Sequence, residues 1–317
     1  MKERAADEAA FFCWLALIVT QGRVSFAVQQ CRWYGAPSHV HDLCIKGTTV
    51  TIPSDIFFNM KELAVRHDCI FIPARLVQGY FSKYCVAFSW LTGVESYPLW
   101  IFGSATLLRY RGRYIMACTR HQLKTVEDPE SVCLILPSDE RSQCFTSGGF
   151  IAFDARMNDD DRRDIALFDF TKSAIEQPDL RRFFLDFRDQ HRDARRNHVV
   201  GAVSYGYPFD RLKIAEHGGD LEMGKEQVVC QYVGQGSDDS VHIFKPISPL
   251  TFDPNGMSGG PAFTILKENE GFTIHFAGIN VRAGREHVRV IKAGAIQMMM
   301  NTLIHAFPRR DIDDFHN

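Results

Sequence analysis

Gly256-Met257-Ser258-Gly259-Gly260-Pro261 is the stretch on which the reading of this chain turns. A serine set among three glycines and closed by a proline fits neither an ordinary helix nor an ordinary strand. Glycine admits positive-φ and close-approach conformations that a Cβ forbids. A turn of that kind can aim several backbone N–H groups at one point beside the serine hydroxyl. That is what stabilising the oxyanion formed by attack of a serine on a carbonyl requires. The plainer reading is a Gly/Pro surface turn carrying an incidental serine. A base and an orienting acid elsewhere in the chain would decide between the two.

Working outward, the segments on both sides read as short strands between turns. Gln227–Val233 and Val241–Lys245 precede the glycine turn, and Ala262–Leu266, Phe272–Val281 and His287–Ile291 follow it. Ala293–Phe307 has the pattern of a helix stopped by Pro308. Upstream, Ser104–Tyr110, the turn Arg111-Gly112-Arg113 and Tyr114–Ala117 read as a β-hairpin that delivers Cys118-Thr119-Arg120-His121 at a strand end. Val132–Leu136, Gly149–Phe153, Ile165–Phe168 and Val199–Tyr205 are further strands. So many short strands with one late helix predict an all-β sandwich or a pair of barrels.

Residues 1–95 give mixed signals: a helix over Glu8–Gln21, and short strands at Thr48–Ile52 and Cys69–Ile72. Met60-Lys61-Glu62 repeats the opening Met1-Lys2-Glu3, which makes Met60 a second candidate start of translation. The apolar run Ala9–Val19 is too short to span a bilayer. Glu3, Asp7 and Glu8 offset Lys2 and Arg4, so it is also a poor signal peptide. A chain of 317 residues holds one large domain or two modest ones, and a net charge of −2 does not point to a polyanion partner. Leu180–Asn197 is rich in arginine, but Asp186, Asp189 and Asp193 interleave, which favours a solvated mixed-charge face over a nucleic-acid patch. The nine cysteines are scattered without a C-x-x-C pair, so neither a metal site nor a disulfide framework is expected, and a reducing cytoplasm is the simpler setting. Secretion or periplasmic export is the second choice.

Two residues supply the missing partners. His121 follows directly on an apolar strand, which would hold an imidazole at a rigid edge while it faces a cleft. Asp164 leads into Ile165-Ala166-Leu167, and an ionised carboxylate entering an apolar strand needs a compensating partner. An imidazole N–H is such a partner and would leave the other ring nitrogen basic. Asp169, at the far end of the same strand, is the competing acid.

Together these stretches resemble the chymotrypsin-like (trypsin-like) serine peptidases, as a bacterial-type intracellular member. Thr119-Arg120-His121 is similar to the family's histidine motif, Asp164-Ile165-Ala166-Leu167 to its D-I-A-L motif, and Gly256–Pro261 to G-x-S-G-G-P. Phe276-Ala277-Gly278-Ile279-Asn280 resembles the strand against which substrate backbone pairs. The resemblance covers residues 96–317 as a peptidase domain and leaves 1–95 as an N-terminal extension of mixed structure. It implies two packed antiparallel six-stranded β-barrels with a C-terminal helix, the site lying between them. It further implies Ser258 as nucleophile, His121 as base and then acid, Asp164 as its orienter, and the N–H groups of Gly256 and Ser258 as the oxyanion hole. Counting back from Ser258, Phe252 and Asp253 fall near the base of the primary substrate pocket, with Gly278, Ile279 and Asn280 beside it. The expected partner is a protein or peptide substrate, with no cofactor, metal, nucleic acid or membrane. Met257 stands where zymogen-activated members carry an aspartate, and no Ile-Val-Gly-Gly segment occurs, so activation by that cleavage is not expected. Gln122 stands where secreted animal members carry a half-cystine.

Two other functions remain open to the sequence. Gly256–Gly260 also satisfies the G-x-S-x-G elbow of α/β-hydrolase esterases, but that fold needs a helix starting at the serine and the acid and histidine later in the chain. The other is a catalytically silent β-barrel scaffold that binds a protein partner.

Overall fold

The computed structural model describes residues 40–45, 48–53, 64–95, 97–126, 128–136, 143–153, 161–188, 199–214, 221–236, 239–268 and 271–307. The helix expected over Glu8–Gln21 lies outside them. Strands β1 (Val40–Ile45) and β2 (Thr48–Pro53) pair as an antiparallel hairpin. A second hairpin, β3 (Ala64–His67) and β4 (Ile70–Pro73), turns at Asp68 and leads to the short helix α1 (Val77–Ser82).

Next come β5 (Cys85–Val94), β6 (Tyr97–Tyr110) and β7 (Arg113–Cys118), a meander. Its β6–β7 turn is the expected Arg111-Gly112, both at positive φ, the hand that matches a two-residue loop to the strand twist. With β8 (Val132–Leu136), β9 (Gln143–Thr146), β10 (Phe150–Ala152) and β11 (Ala166–Asp169), they form a curled sheet in the order β10-β11-β7-β6-β5-β8-β9. The sheet makes a half-barrel rather than a ring. Its end strands do not pair; the linking chain bonds instead to inner strands, Ser147 N to Val132 O and Gly148 N to Asp169 O.

Helix α2 (Thr171–Glu176) and the short β12 (Leu185–Asp186), parallel to β6, lead into the second half. Here β13 (Val199–Gly206) is followed by a small hairpin, β14 (Leu212–Ile214) and β15 (Leu221–Met223). The remaining strands are β16 (Glu226–Gln235), β17 (Val241–Pro246), β18 (Pro261–Glu268), β19 (Gly271–Ala283) and β20 (Val288–Lys292). The run β18-β13-β16-β17-β20-β19 closes on itself through β18–β19 pairing, giving a six-stranded antiparallel barrel. Strands β3 and β4 extend it from β19. The last described element is helix α3 (Ala293–Ala306), one residue short of the expected end.

The fold class is therefore all-β, a closed barrel and a half-barrel with a C-terminal helix, an architecture compatible with the chymotrypsin-like one. Alternation along the strands sorts apolar side chains into three clusters. Val86, Phe88, Leu107 and Phe168 fill the half-barrel. Val228, Phe244, Phe252 and Val290 fill the closed barrel. A third cluster forms the seam: Leu108, Ile115 and Leu167 from one side meet Val203, Phe263 and Ile279 from the other, with Ile296 and Leu303 of α3 against both. In the described part of the arginine-rich stretch, Leu180, Phe184, Leu185 and Phe187 are buried while Arg181, Arg182, Asp186 and Arg188 stay exposed.

Candidate active site

Strand β7 is buried along its whole length and flanked by β6 and β11, so its end is rigid. The chain leaves it through Thr119 into the 3-10 turn Arg120–Thr125, which carries His121. Strand β11 runs antiparallel to β7 with Ala166 opposite Cys118, and continuing that register brings Asp164 beside the His121 turn. The contact is two-pronged: Asp164 Oδ1 accepts from His121 N at 2.8 Å, and Oδ2 lies 2.6 Å from His121 Nδ1. With Nδ1 against a carboxylate, the proton belongs on Nδ1, and Nε2 is left with its lone pair. Asp169 serves elsewhere: it pairs with Arg113 at 2.9 Å and accepts from Thr171 N at the start of α2. Behind the site, burial pushes the Cys118 thiol well up, with the Asp164 charge adding to it, so that sulfur stays protonated.

Ser258 sits in the turn between β17 and β18, and Gly256 before it has φ +98°, where a Cβ would lie 2.5 Å from Tyr207 O. The carbonyls of this turn are all held. Gly256 O accepts from Ser104 Oγ at 2.6 Å, Gly259 O from Thr106 Oγ1 at 2.7 Å, and Ser258 O from Ser104 N at 3.2 Å. Met257 O accepts from Gly260 N and Asn280 Nδ2, and Asn255 O from Phe209 N. In a trans peptide the N–H points opposite to the C=O. Anchoring the carbonyls of Asn255 and Met257 therefore aims the N–H groups of Gly256 and Ser258 the other way, and neither bonds to a described residue. Two adjacent donors without internal acceptors, beside a serine, can receive an anionic oxygen. The Ser258 hydroxyl itself donates to Val281 O at 2.9 Å.

These groups share a cleft of about 410 Å³ between the barrel and the half-barrel. His121, Asp164, Gly256 and Ser258 line it. Phe102 and Phe209, with ring centroids 4.9 Å apart, line it as well. The five residues expected to contact substrate do not. Phe252 lies in the closed-barrel core, and the exposed Asp253 accepts from Asn255 N and Nδ2. Gly278 and Ile279 are inside the sheet. Asn280 is fully buried and ties Ser204 Oγ, Tyr205 O and Met257 O together. The cleft wall is instead Val281, Arg282 and Ala283, because a register shift between Asn280 and Arg282 re-aims the end of β19. A count of residues back from the serine does not reveal such a shift.

Ser104 and Thr106 were also missed. They alternate along β6 as polar residues in an apolar strand, and both are fully buried, which is the pattern that signals obligatory partners. Asp161, three residues before Asp164, receives Arg282 at 3.0 Å and Arg289 at 2.8 Å, so the closed barrel grips the turn of the half-barrel that carries the acid. Among the described residues, no group of three or more His, Cys, Asp or Glu is placed to hold a metal ion, and no helix is long and apolar enough to cross a membrane. No protein-family model and no curated protein matches the chain.

Proposed function

We propose that this chain is a serine endopeptidase working through Ser258, His121 and Asp164. The observation that carries the reading is the convergence of the Asp164–His121 pair and a serine turn with two unengaged N–H donors on one cleft. On this reading Ser258 releases the Val281 carbonyl and turns its hydroxyl to His121 Nε2. Its Oγ attacks the substrate carbonyl carbon while the proton passes to Nε2, and the N–H groups of Gly256 and Ser258 take the oxyanion. The C–N bond then breaks, Nε2 returns the proton to the leaving amine, and water repeats the sequence on the acyl-enzyme.

One observation favours a second reading, a silent scaffold that binds a protein partner: the Ser258 hydroxyl is bonded to Val281 O. The esterase elbow draws no such support, since strand β18, and not a helix, follows the serine. A fluorophosphonate probe separates the first two readings. Labelling of the intact protein that disappears in Ser258→Ala, together with turnover of peptide libraries, supports the peptidase. Intact protein that neither labels nor cleaves supports the scaffold.

A further inference from the structure

Gln122 is 1% exposed, and its amide has every hydrogen-bonding position engaged. Its Oε1 accepts from Thr119 N and from Thr119 Oγ1, both at 2.8 Å. Its Nε2 lies 3.2 Å from Phe102 O, 3.1 Å from Ser104 O and 3.2 Å from Ser258 O, three acceptors for two N–H donors. One side chain thus touches three elements: the turn that carries His121, strand β6, and the turn that carries Ser258. Two glycines make room for the amide: a Cβ on Gly103 would lie 2.5 Å from Nε2, and one on Gly259 would lie 2.9 Å from Oε1.

We infer that Gln122 is a positioning residue whose amide sets the spacing between the His121 turn and the Ser258 turn. The inference rests on the peptidase reading for its kinetic consequence, although not for the coupling itself. His121 is anchored to the half-barrel through Asp164, and Ser258 belongs to the closed barrel. The two halves meet mainly through apolar side chains, which are non-directional. A directional link between the two turns has to be polar. Ser104 N and Gln122 Nε2 both grip the Ser258 carbonyl, and only Gln122 also belongs to the histidine turn. The carbonyl it holds belongs to the residue that carries the reacting hydroxyl, so slack there passes directly into the distance between nucleophile and base.

The test compares wild type, Gln122→Met and Gln122→Glu by thermal unfolding, steady-state peptide hydrolysis and amide hydrogen exchange. Methionine keeps the volume and removes every hydrogen bond. Glutamate keeps the acceptor for Thr119 and loses the donor to Ser258 O. In both variants KM is expected to stay within about twofold while kcat falls by about 10- to 100-fold. The Ser104 amide, whose acceptor is the same Ser258 carbonyl, is expected to exchange about tenfold faster, with the remote strands β16 and β17 unchanged. A lowered unfolding temperature with unchanged kcat would reduce Gln122 to a structural residue and overturn the inference. If wild type itself cleaves nothing, the peptidase reading falls, and the coupling is judged on exchange alone: an unchanged Ser104 rate then overturns it.

Discussion

At the scale of single residues, the site depends on a few polar side chains whose orientation is over-determined. Asp164 makes two bonds to one residue, His121, and so sets its ring orientation as well as its tautomer. On the proposed function nucleophile and base act on one proton, so His121→Ala and Ser258→Ala should each lower kcat by several orders of magnitude, and the double variant should be scarcely worse than either. Multiplying losses would refute that assignment. A separate expectation concerns Cys144, an exposed thiol that a hydrogen bond from Cys133 pulls down to about 7. More thiolate at neutral pH means faster alkylation. Peptide mapping after brief iodoacetamide treatment should find Cys144 modified ahead of buried Cys85, Cys118 and Cys230, whose thiols burial pushes up.

At the scale of elements, the determining relation is between strand β6 and the serine turn. Ser104 and Thr106 point inward from β6 and hold the carbonyls of Gly256 and Gly259, which pins the turn, while the anchored carbonyls of Asn255 and Met257 direct the N–H groups of Gly256 and Ser258 the opposite way. Gly256→Ala would force a Cβ against Tyr207 O at a φ of +98° that alanine rarely adopts, so the peptide must turn and one donor is lost. Loss of one such donor costs about 100- to 1000-fold in kcat. We expect that drop, with KM little changed, in steady-state assays of the folded variant. An equal drop in affinity for substrate would mean that the turn shapes the pocket and not the oxyanion site.

At the scale of the whole molecule, the cleft exists because two curled sheets are held at a fixed angle by one apolar seam. Helix α3 closes that seam, touching β7 and β11 on one side and β19 and β20 on the other. Its period of buried residues, Ile296, Met299, Met300 and Leu303, supplies the contact face. Leu303 is completely buried, so Leu303→Ala should leave a cavity and cost about 2–5 kcal/mol in urea denaturation. The ionic grip of Arg282 and Arg289 on Asp161 is the polar counterpart, but both guanidinium groups are well exposed. Asp161→Asn should therefore cost no more than about 1 kcal/mol. A loss of several kcal/mol would make the charge pair, and not the seam, the main connection.

The hairpin at Arg111-Gly112, the late helix, the strands flanking the glycine turn and the candidates Ser258, His121 and Asp164, which line one cleft, could be named from the linear chain, because each rests on a local signal. Periodicity marks a strand, a glycine cluster marks a turn, and an acid heading an apolar run calls for a counter-group. The D-I-A-L likeness already preferred Asp164 to Asp169, and the strand register supplies the physical reason: both flank the same strand and only the Asp164 end of it meets the histidine turn. The cleft wall at Val281–Ala283, the scaffold role of Asn280 and the burial of Phe252 were decided by tertiary structure alone. A bulge in β19 and the closure of the barrel determine which residues of a strand face the cavity. Neither leaves a mark in the spacing of residue types. What a residue is made of shows in the sequence, but what it faces depends on segments more than a hundred positions away.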